Sequence, residues 1–501
     1  MQTICLINPP SPFLLDERVF MSLGILRVAA VLEEAGWQVE MLDLSGVENY
    51  LEAVTDHVSV SAANVFGITA TTPQMPAAAS IAETIAKVRP NDRRILGGPH
   101  ATLVHAAWKR EQKLNQPGRA HRAMAQLEQY FESIVAGDGE QAIFVACDPN
   151  SPKIVDADGR HSELFMKKGT LDALPFPARH LVEVDSYHYS IDGKRATSLI
   201  AQLGCPFGCG FCAGRLSPML RHIRTRSSEN IVEEMVYLYK TYGYHGFMFY
   251  DDELNVNKDV VDLMQKISSA QKELGAEWRL RGFVKAELFT SEQAQAMFDA
   301  GFRWLLVGFE SGSPRILDNI EKRATLDDNS RCLDIARAHS MKVKALMSLG
   351  HPGESSVTVE ETKMWLLSAK PDDFDVTIIT PYPGSPYYDE AEATGVAGEW
   401  VYRARRNGDC LYQQEIDYTT EADYYKGDPN DGYVSHVRTD YLSSEELVHA
   451  RDELERSVRE ALNIPFNPGA PAIQYEHSMG QTGLPPRLLR TSLSPRPIAE
   501  V

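Results

Sequence analysis

The chain lacks any run of about 18 uncharged apolar residues, so the sequence predicts no transmembrane helix. Its first residues, Met1-Gln2-Thr3-Ile4-Cys5-Leu6, lack the charged segment and the long apolar run of a signal peptide. Cysteine is scarce, and four of the seven cysteines are scattered, which argues against a disulfide framework. These absences predict a cytoplasmic protein.

Positive charge is also in short supply, because 50 Lys and Arg face 69 Asp and Glu, for a net charge of -19. A nucleic-acid partner would require a basic surface that this composition does not offer in bulk. We therefore expect no such partner. The 501 residues, 43% of them hydrophobic, provide for about three domains with real cores.

Three cysteines are present within one short loop, Gly204-Cys205-Pro206-Phe207-Gly208-Cys209-Gly210-Phe211-Cys212. Three thiolates at C-x3-C-x2-C spacing can hold three irons of a cubane cluster and leave the fourth iron open. An open iron can chelate a small molecule and pass an electron to it, which side chains alone cannot do. The alternative is a zinc site, but no Cys or His follows at finger spacing and His222 comes late.

The loop resembles the signature of the radical S-adenosylmethionine (SAM) family, including the aromatic Phe211 before the last cysteine. The resemblance implies a 4Fe-4S cluster on Cys205, Cys209 and Cys212 whose open iron binds the amino and carboxylate groups of SAM. It also implies reductive cleavage of SAM to a 5′-deoxyadenosyl radical, with an electron donor such as flavodoxin or ferredoxin.

The front of the chain alternates predicted strands and helices, which indicates a parallel α/β sheet. Strands are predicted at residues 3–7, 39–44, 65–69, 94–96 and 133–136, and helices at 23–35 and 77–88. Each strand runs into Gly, Pro, Thr or Ser, where open α/β sheets bind ligands. Ordinary β-α turns favour the same residues, so the pattern alone leaves both interpretations open.

A second resemblance rests on Asn8-Pro9-Pro10, Ser22-Leu23-Gly24, Thr69-Ala70-Thr71-Thr72-Pro73, Gly97-Gly98-Pro99-His100 and Gly137-Asp138-Gly139-Glu140. Followed by the cluster loop, these segments are similar to the cobalamin-binding radical SAM class. The resemblance implies a Rossmann-like cobalamin (B12) domain over residues 1–150. It names as cobalamin contacts Ser22, Thr71, Thr72, Gly98 and Gly139.

One departure from other cobalamin proteins concerns the lower face of the cofactor. The Asp-x-His-x-x-Gly pattern that supplies an axial imidazole is absent, since the first strand leads into Asn8-Pro9-Pro10-Ser11-Pro12. We therefore expect no axial histidine from the protein. His100 is the alternative ligand, although a His after Gly-Gly-Pro is more often a turn contact.

A proline-rich segment at residues 174–179 marks a linker, placed at 151–190, between the first domain and a second one. Six further strands are predicted, at 197–203, 246–250, 277–283, 304–309, 344–349 and 376–380, separated by helices. Repeated β-α units predict a parallel barrel with reactive residues at the strand ends. In the radical SAM class the barrel is partial, a (β/α)6 unit, and we place it at residues 191–390.

The strand ends of this barrel carry the residues that SAM requires, namely an acceptor for its ammonium and a cation for its carboxylate. By resemblance, Glu310 and Ser311 contact the methionyl or ribose part, Arg281 the carboxylate and Gly350 the adenine side. Asp251-Asp252-Glu253 ends the second strand. It is either a solvated acidic turn or N-cap, or part of the active site, which we favour for Asp252 and Glu253.

Beyond residue 390 we expect a C-terminal α+β extension, 391–501, with an amphipathic helix at 443–462 and a poorly ordered tail from 465. Its tyrosines fit either the substrate side of the barrel mouth or a packed cap over the barrel bottom; they are Tyr412, Tyr418, Tyr424, Tyr425 and Tyr433.

Taken together, the motifs predict a cobalamin-dependent radical SAM C-methyltransferase that acts on a small-molecule biosynthetic intermediate. The alternatives are a radical oxidative cyclase of the anaerobic porphyrin-ester type and a cobalamin-binding sensor without catalysis. An intact cluster loop argues against the sensor. A methylthiotransferase would carry three further cysteines in its first domain, where this chain has only Cys5 and Cys147.

Overall fold

The computed structural model describes residues 2–11, 17–167, 169–421 and 434–465. Within these ranges no helix has both the length and the apolar character needed to cross a membrane. Tyr424, Tyr425, Tyr433 and the tail beyond residue 465 lie outside the described residues.

The first unit is a parallel sheet with helices on both faces, as predicted. Its strands are β1 (Thr3–Asn8), β2 (Gln38–Asp43), β3 (Val65–Thr69), β4 (Arg93–Gly97), β5 (Ser133–Gly137) and β6 (Ile154–Ala157). Its helices are α1 (Leu23–Glu34), α2 (Tyr50–Val60), α3 (Met75–Val88), α4 (Pro99–Leu114), α5 (Arg119–Tyr130) and α6 (Gly139–Ala146). The strand order β2-β1-β3-β4-β5-β6 separates two apolar cores, one on each face.

The sheet has one strand more than predicted. β6 pairs in parallel with β5, with Ile134 opposite Ile154, so the sheet continues past the predicted domain end at residue 150. The strand is short, and Asp156 interrupts its apolar pattern, which is why the sequence does not indicate it. The boundary at 150 itself stays a prediction.

The proline-rich segment at 174–179 is a packed strap rather than a free tether. The Ala178 amide donates to the Leu26 carbonyl in α1, at 3.0 Å. Arg179 Nη1 donates to Glu234 Oε1 at 2.7 Å, and Glu234 lies on the helix Ser228–Tyr242 of the second unit. The strap therefore ties both units together through buried polar contacts.

The second unit is an open barrel. Of its nine strands, six run parallel in the barrel sheet, which is the number predicted. Its strands are β7 (Ser190–Ile191), β8 (Lys194–Leu199), β9 (Gln202–Leu203), β10 (Arg224–Thr225), β11 (Gly246–Phe249), β12 (Arg279–Phe283), β13 (Phe302–Glu310), β14 (Lys342–Leu349) and β15 (Asp373–Ile378). Its helices are α7 (Pro218–Arg221), α8 (Ser228–Tyr242), α9 (Val260–Leu274), α10 (Ser291–Ala300), α11 (Pro314–Ile320), α12 (Leu326–Ala338) and α13 (Ser356–Ala369).

The barrel sheet runs β15-β14-β13-β12-β11-β8-β7, and its outer face packs on the helices through one large apolar core. The inner face carries a smaller apolar layer that includes Met248, Leu306 and Leu346. Val19 and Phe20, which precede α1, join this layer. The first unit thus contributes side chains to the inside of the barrel.

The C-terminal part is α+β, as predicted. It consists of α14 (Pro386–Asp389), β16 (Glu392–Ala393), β17 (Glu399–Arg403), β18 (Cys410–Gln414), β19 (Val437–Thr439) and α15 (Ser444–Leu462). The four strands form an antiparallel sheet. Two tyrosines of the predicted set are described: Tyr412 donates to Asp440, and the buried Tyr418 donates to the Pro381 carbonyl. Which of the two proposed roles they take stays a prediction.

Candidate active site

The cluster loop is held in shape by main-chain contacts on both sides. β9 leads into it and pairs antiparallel with β10, which follows it. Gly204 has a φ of +89°, and a Cβ there would lie 2.3 Å from the His222 carbonyl oxygen, so only glycine fits. Arg221 Nη1 donates to the Phe207 carbonyl at 2.6 Å, and the Gly210 amide donates to the Ile320 carbonyl at 2.7 Å.

The three loop thiols suit a cluster better than a single metal ion. Among the described residues, their sulfur atoms are not within 4.8 Å of one another as a set, whereas the ligand atoms of one tetrahedral zinc would be closer. Burial raises the pKa of Cys205 to about 11 and that of Cys212 to about 12. It also raises the pKa of Cys209, although the positive charges of Lys322 and Lys285 lower it in part. Burial thus favours the thiol form of all three, and the thiolates that an iron-sulfur cluster needs would form as its irons bind.

A polar chain begins at Glu310 and ends at Tyr387, whose amide donates to the Gly210 carbonyl of the cluster loop. Lys322 Nζ donates to Glu310 Oε1 at 2.8 Å and Ser348 Oγ donates to Glu310 Oε2 at 3.0 Å. Burial would raise the pKa of Glu310, but Lys322 and Ser348 bring it below its ordinary value. Glu310 stands at a φ of +66°, where the register between β13 and β14 shifts, so the backbone turns this carboxylate out of the regular ladder.

His351 extends the chain as a neutral ring, since burial lowers its pKa to about 4. Ser348 Oγ lies 2.8 Å from His351 Nε2, and Tyr387 Oη lies 3.4 Å from His351 Nδ1. With the proton on Nε2, Tyr387 donates to His351, His351 to Ser348 and Ser348 to Glu310. The predicted Phe211 contacts the same ring, at 5.6 Å between centroids.

The acidic segment after β11 divides into a structural and an open part. Asp251 accepts hydrogen bonds from the Ala201 and Gln202 amides and so fixes the backbone before the cluster loop. Glu253 is half-buried near Lys322 and Lys285, and desolvation raises its pKa to about 7. Asp252 instead borders the cavity between the two units.

Two predicted SAM contacts, Ser311 and Arg281, are not brought to the polar chain that begins at Glu310. The Ser311 hydroxyl is fully buried, 3.1 Å from Thr362 Oγ1, and accepts from the Ser313 amide. Arg281 pairs with Trp304, six residues before Glu310 on β13, which is about 20 Å along a strand. Gly350 has a φ of +87° and donates its amide to Glu354.

A cavity of about 390 Å³ separates the carboxyl ends of the first sheet from the cluster side of the barrel. Of the predicted cobalamin contacts, four border it: Ser22, Thr71, Gly98 and Gly139. Thr72 does not, because it is buried and its hydroxyl lies 3.1 Å from His100 Nδ1. The barrel contributes the opposite wall, with Gln202, Gly204, Tyr250 and Asp252.

The walls of this cavity fit a large amide-rich cofactor such as cobalamin. A Cβ at Gly24 or Gly97 would meet no atom within 4 Å, so glycine there leaves open space for a ligand. At Gly67, in the middle of β3, a Cβ would lie 2.8 Å from Leu6, so glycine there makes room for the Leu6 side chain, which also borders the cavity. Exposed backbone at such glycines supplies donors and acceptors for amides.

The electron paramagnetic resonance spectrum of bound cob(II)alamin should lack superhyperfine splitting from an axial nitrogen. No histidine is among the described residues that border the cavity, and His100 is engaged with Thr72 and with the Tyr418 ring. A nitrogen pattern that disappears in His100→Ala would contradict this expectation.

Sequence reasoning missed the two buried lysines that face the cluster loop. Lys322 follows Glu321 in a short charged segment that is typical of a solvated turn, yet it is 5% exposed. Lys285 lies 4.2 Å above the Phe207 ring and is 2% exposed. No local signal distinguishes them from surface lysines, because their burial depends on elements far apart in the chain.

Two family models match the chain, the radical SAM superfamily over residues 199–366 and the B12 binding domain over residues 17–127. The chain is 26% identical over 416 residues to an uncharacterized methyltransferase of Pyrococcus horikoshii, which covers 78% of this chain and 84% of that protein. Identity is 25% over 412 residues with cytidylyl-2-hydroxyethylphosphonate methyltransferase of Streptomyces wedmorensis, covering 72% and 75%. It is 22% over 380 residues with the anaerobic magnesium-protoporphyrin IX monomethyl ester cyclase of Rubrivivax gelatinosus, covering 71% and 64%.

A solved structure has the same fold over almost the whole chain. The radical SAM methyltransferase TsrM from Kitasatospora setae, with cobalamin and a [4Fe-4S] cluster bound, aligns with a TM-score of 0.64 at 15% identity, over 96% of this chain and 92% of that one. The B12 binding model matches the first unit and the radical SAM model matches the barrel, the two units that meet at the cavity. The chain belongs to the cobalamin-binding radical SAM enzymes, the family of the cobalamin-dependent radical SAM methyltransferases, whose cofactors are a 4Fe-4S cluster, SAM and cobalamin.

Proposed function

We propose that this enzyme transfers a methyl group to an unactivated carbon of a small-molecule biosynthetic intermediate. The observation that carries the proposal is that both units border the same cavity. Gly98 and Gly139 line it from the first unit, and Gly204, Tyr250 and Asp252 line it from the barrel. A substrate in that cavity would have the cobalamin side on one wall and the cluster loop on the other. Such placement gives both cofactors access to one carbon atom.

When bound, the cluster would supply the electron that cleaves one SAM to a radical able to remove hydrogen from carbon, and cobalamin would carry the methyl group of a second SAM. The residues of the chain hold these cofactors and orient the groups that contact them. Cys205, Cys209 and Cys212 would hold the cluster, and the half-buried Glu253 would accept from the SAM ammonium. Lys322 and Ser348 fix the Glu310 carboxylate in one orientation, so little reorganisation is needed when SAM binds.

The apolar part of the cavity wall would pack against bound cobalamin, and wall and cofactor together would keep water from the reacting centre. Leu6, Ile68 and Val135 line the cavity from the first unit. A reactive carbon intermediate that is shielded from water and from side-chain hydrogen donors survives until the methyl group is transferred. This supports methyl transfer at carbon rather than at an exposed heteroatom.

A radical oxidative cyclase is the second candidate, and its support is the 22% identity with the cyclase of Rubrivivax gelatinosus. The chain covers 64% of that protein, less than of the two methyltransferases. A cyclase requires the radical but has no need to consume a methyl donor. The products of SAM therefore distinguish the two functions.

We expect S-adenosylhomocysteine and 5′-deoxyadenosine to accumulate together, each in proportion to methylated product, in turnover with excess reductant. Chromatography with mass detection measures all three. Glu310→Ala should lower both SAM products, because the buried Lys322 would lose its partner. Sustained 5′-deoxyadenosine without S-adenosylhomocysteine would favour the cyclase, and methylation without 5′-deoxyadenosine would mean polar methyl transfer.

We further propose a cytoplasmic location and a flavodoxin or ferredoxin as the electron donor. An oxygen-sensitive cluster requires a reducing compartment, and all seven cysteines are free. Low-potential one-electron carriers are the class of donor that such a cluster needs.

A further inference from the structure

Arg224 is fully buried at the junction of the two units, and most of its hydrogen-bonding capacity is unused. Its Nη1 donates to Asp138 Oδ2, whereas Nε and Nη2 have no partner among the described residues. Leaving guanidinium donors unpaired in a dry site is costly, so such groups normally have a ligand.

The position of Arg224 says where that ligand lies. Arg224 is in β10, opposite Leu203, and thus beside the start of the cluster loop. Its partner Asp138 lies in the turn between β5 and α6, flanked by Gly137 and Gly139. All of these residues border the cavity between the units. The residue that carries the free donors therefore borders the space next to the carboxyl ends of the first sheet.

We propose that Arg224 is a cobalamin-binding residue that donates from Nε and Nη2 to amide carbonyl oxygens on the corrin, while Nη1 stays on Asp138. The inference rests on cobalamin as the occupant of this cavity. Asp138 already compensates the positive charge, so the remaining donors suit neutral acceptors better than a phosphate or carboxylate. Cobalamin carries several such amides on its ring edge.

Arg226 provides a matched comparison. It is 5% exposed, lies two residues further on, and pairs with the buried Glu234, but it does not border the cavity. Arg224→Lys and Arg226→Lys each keep a cation beside its carboxylate and remove the planar fork. Only the first change removes donors from a residue that borders the cavity.

The test is anaerobic equilibrium dialysis of hydroxocobalamin against the full chain with its cluster reconstituted, without substrate or SAM. We expect Arg224→Lys and Arg224→Met to bind cobalamin about tenfold to a hundredfold more weakly. Arg226→Lys should stay within about twofold of the wild type, and iron content should be unchanged in all three.

Wild-type cobalamin affinity in Arg224→Lys would assign the donors to the substrate and overturn the proposal. Parallel loss of iron and cobalamin would make Arg224 a packing residue and overturn it as well. Failure of the wild-type chain to take up cobalamin would instead remove the cofactor from this cavity, and with it the proposed methyl transfer.

Discussion

Cys209→Ala is expected to abolish SAM cleavage, lowering 5′-deoxyadenosine formation by about a thousandfold or more, because no side chain replaces the one-electron chemistry of the cluster. Three thiolates already leave one iron without a protein ligand, and two would not retain the cube. Iron and sulfide content, the absorbance of the cluster and the rate of 5′-deoxyadenosine formation measure the effect after anaerobic reconstitution.

Cys332→Ala is the control for this variant. Cys332 is a buried cysteine of α12, outside the cluster loop, and the change removes one sulfur from a packed core. We expect it to cost about 1 kcal/mol of stability and to leave the iron content unchanged. Near-wild-type 5′-deoxyadenosine formation by Cys209→Ala would refute the assignment of the loop.

Lys322→Met should have the second large effect, on both stability and SAM binding. The Lys322 ammonium is the cation 2.8 Å from the buried Glu310 carboxylate, and removing one partner of such a pair costs about 3–5 kcal/mol of unfolding free energy. Without Lys322, burial should raise the pKa of Glu310 and leave it protonated near neutral pH. Denaturant unfolding and a SAM binding isotherm measure the two losses.

Lys344→Met separates the two losses. Lys344 is an equally buried lysine, 3.1 Å from both Asp373 and Asp375, on an earlier part of β14 than Ser348. This variant should lose comparable stability but keep the SAM affinity of the wild type. The double variant Lys322→Met/Glu310→Gln should regain stability without regaining SAM binding. If Lys322→Met bound SAM normally, Glu310 and Lys322 would have only a structural role.

The features that sequence predicted well are the ones encoded locally. The cysteine loop is nine residues long, and six barrel strands follow from repeated apolar runs bounded by turns. What escaped prediction depends on contacts between distant segments. Arg281 and Glu310 both lie near predicted strand ends, but register between β12 and β13 sets them far apart. The burial of Ser311 depends on Thr362, some fifty residues away.

Val19 and Phe20 have a consequence for how this protein could be recombined. These two side chains leave the first unit and fill the inner apolar layer of the barrel beside Tyr189 and Ile191. A chimera that joins this barrel to a foreign cobalamin unit would inherit a hole at its centre unless the donor carried matching side chains there. The two units are therefore interchangeable only with units that match each other, and a compatible first unit must carry side chains equivalent to Val19 and Phe20.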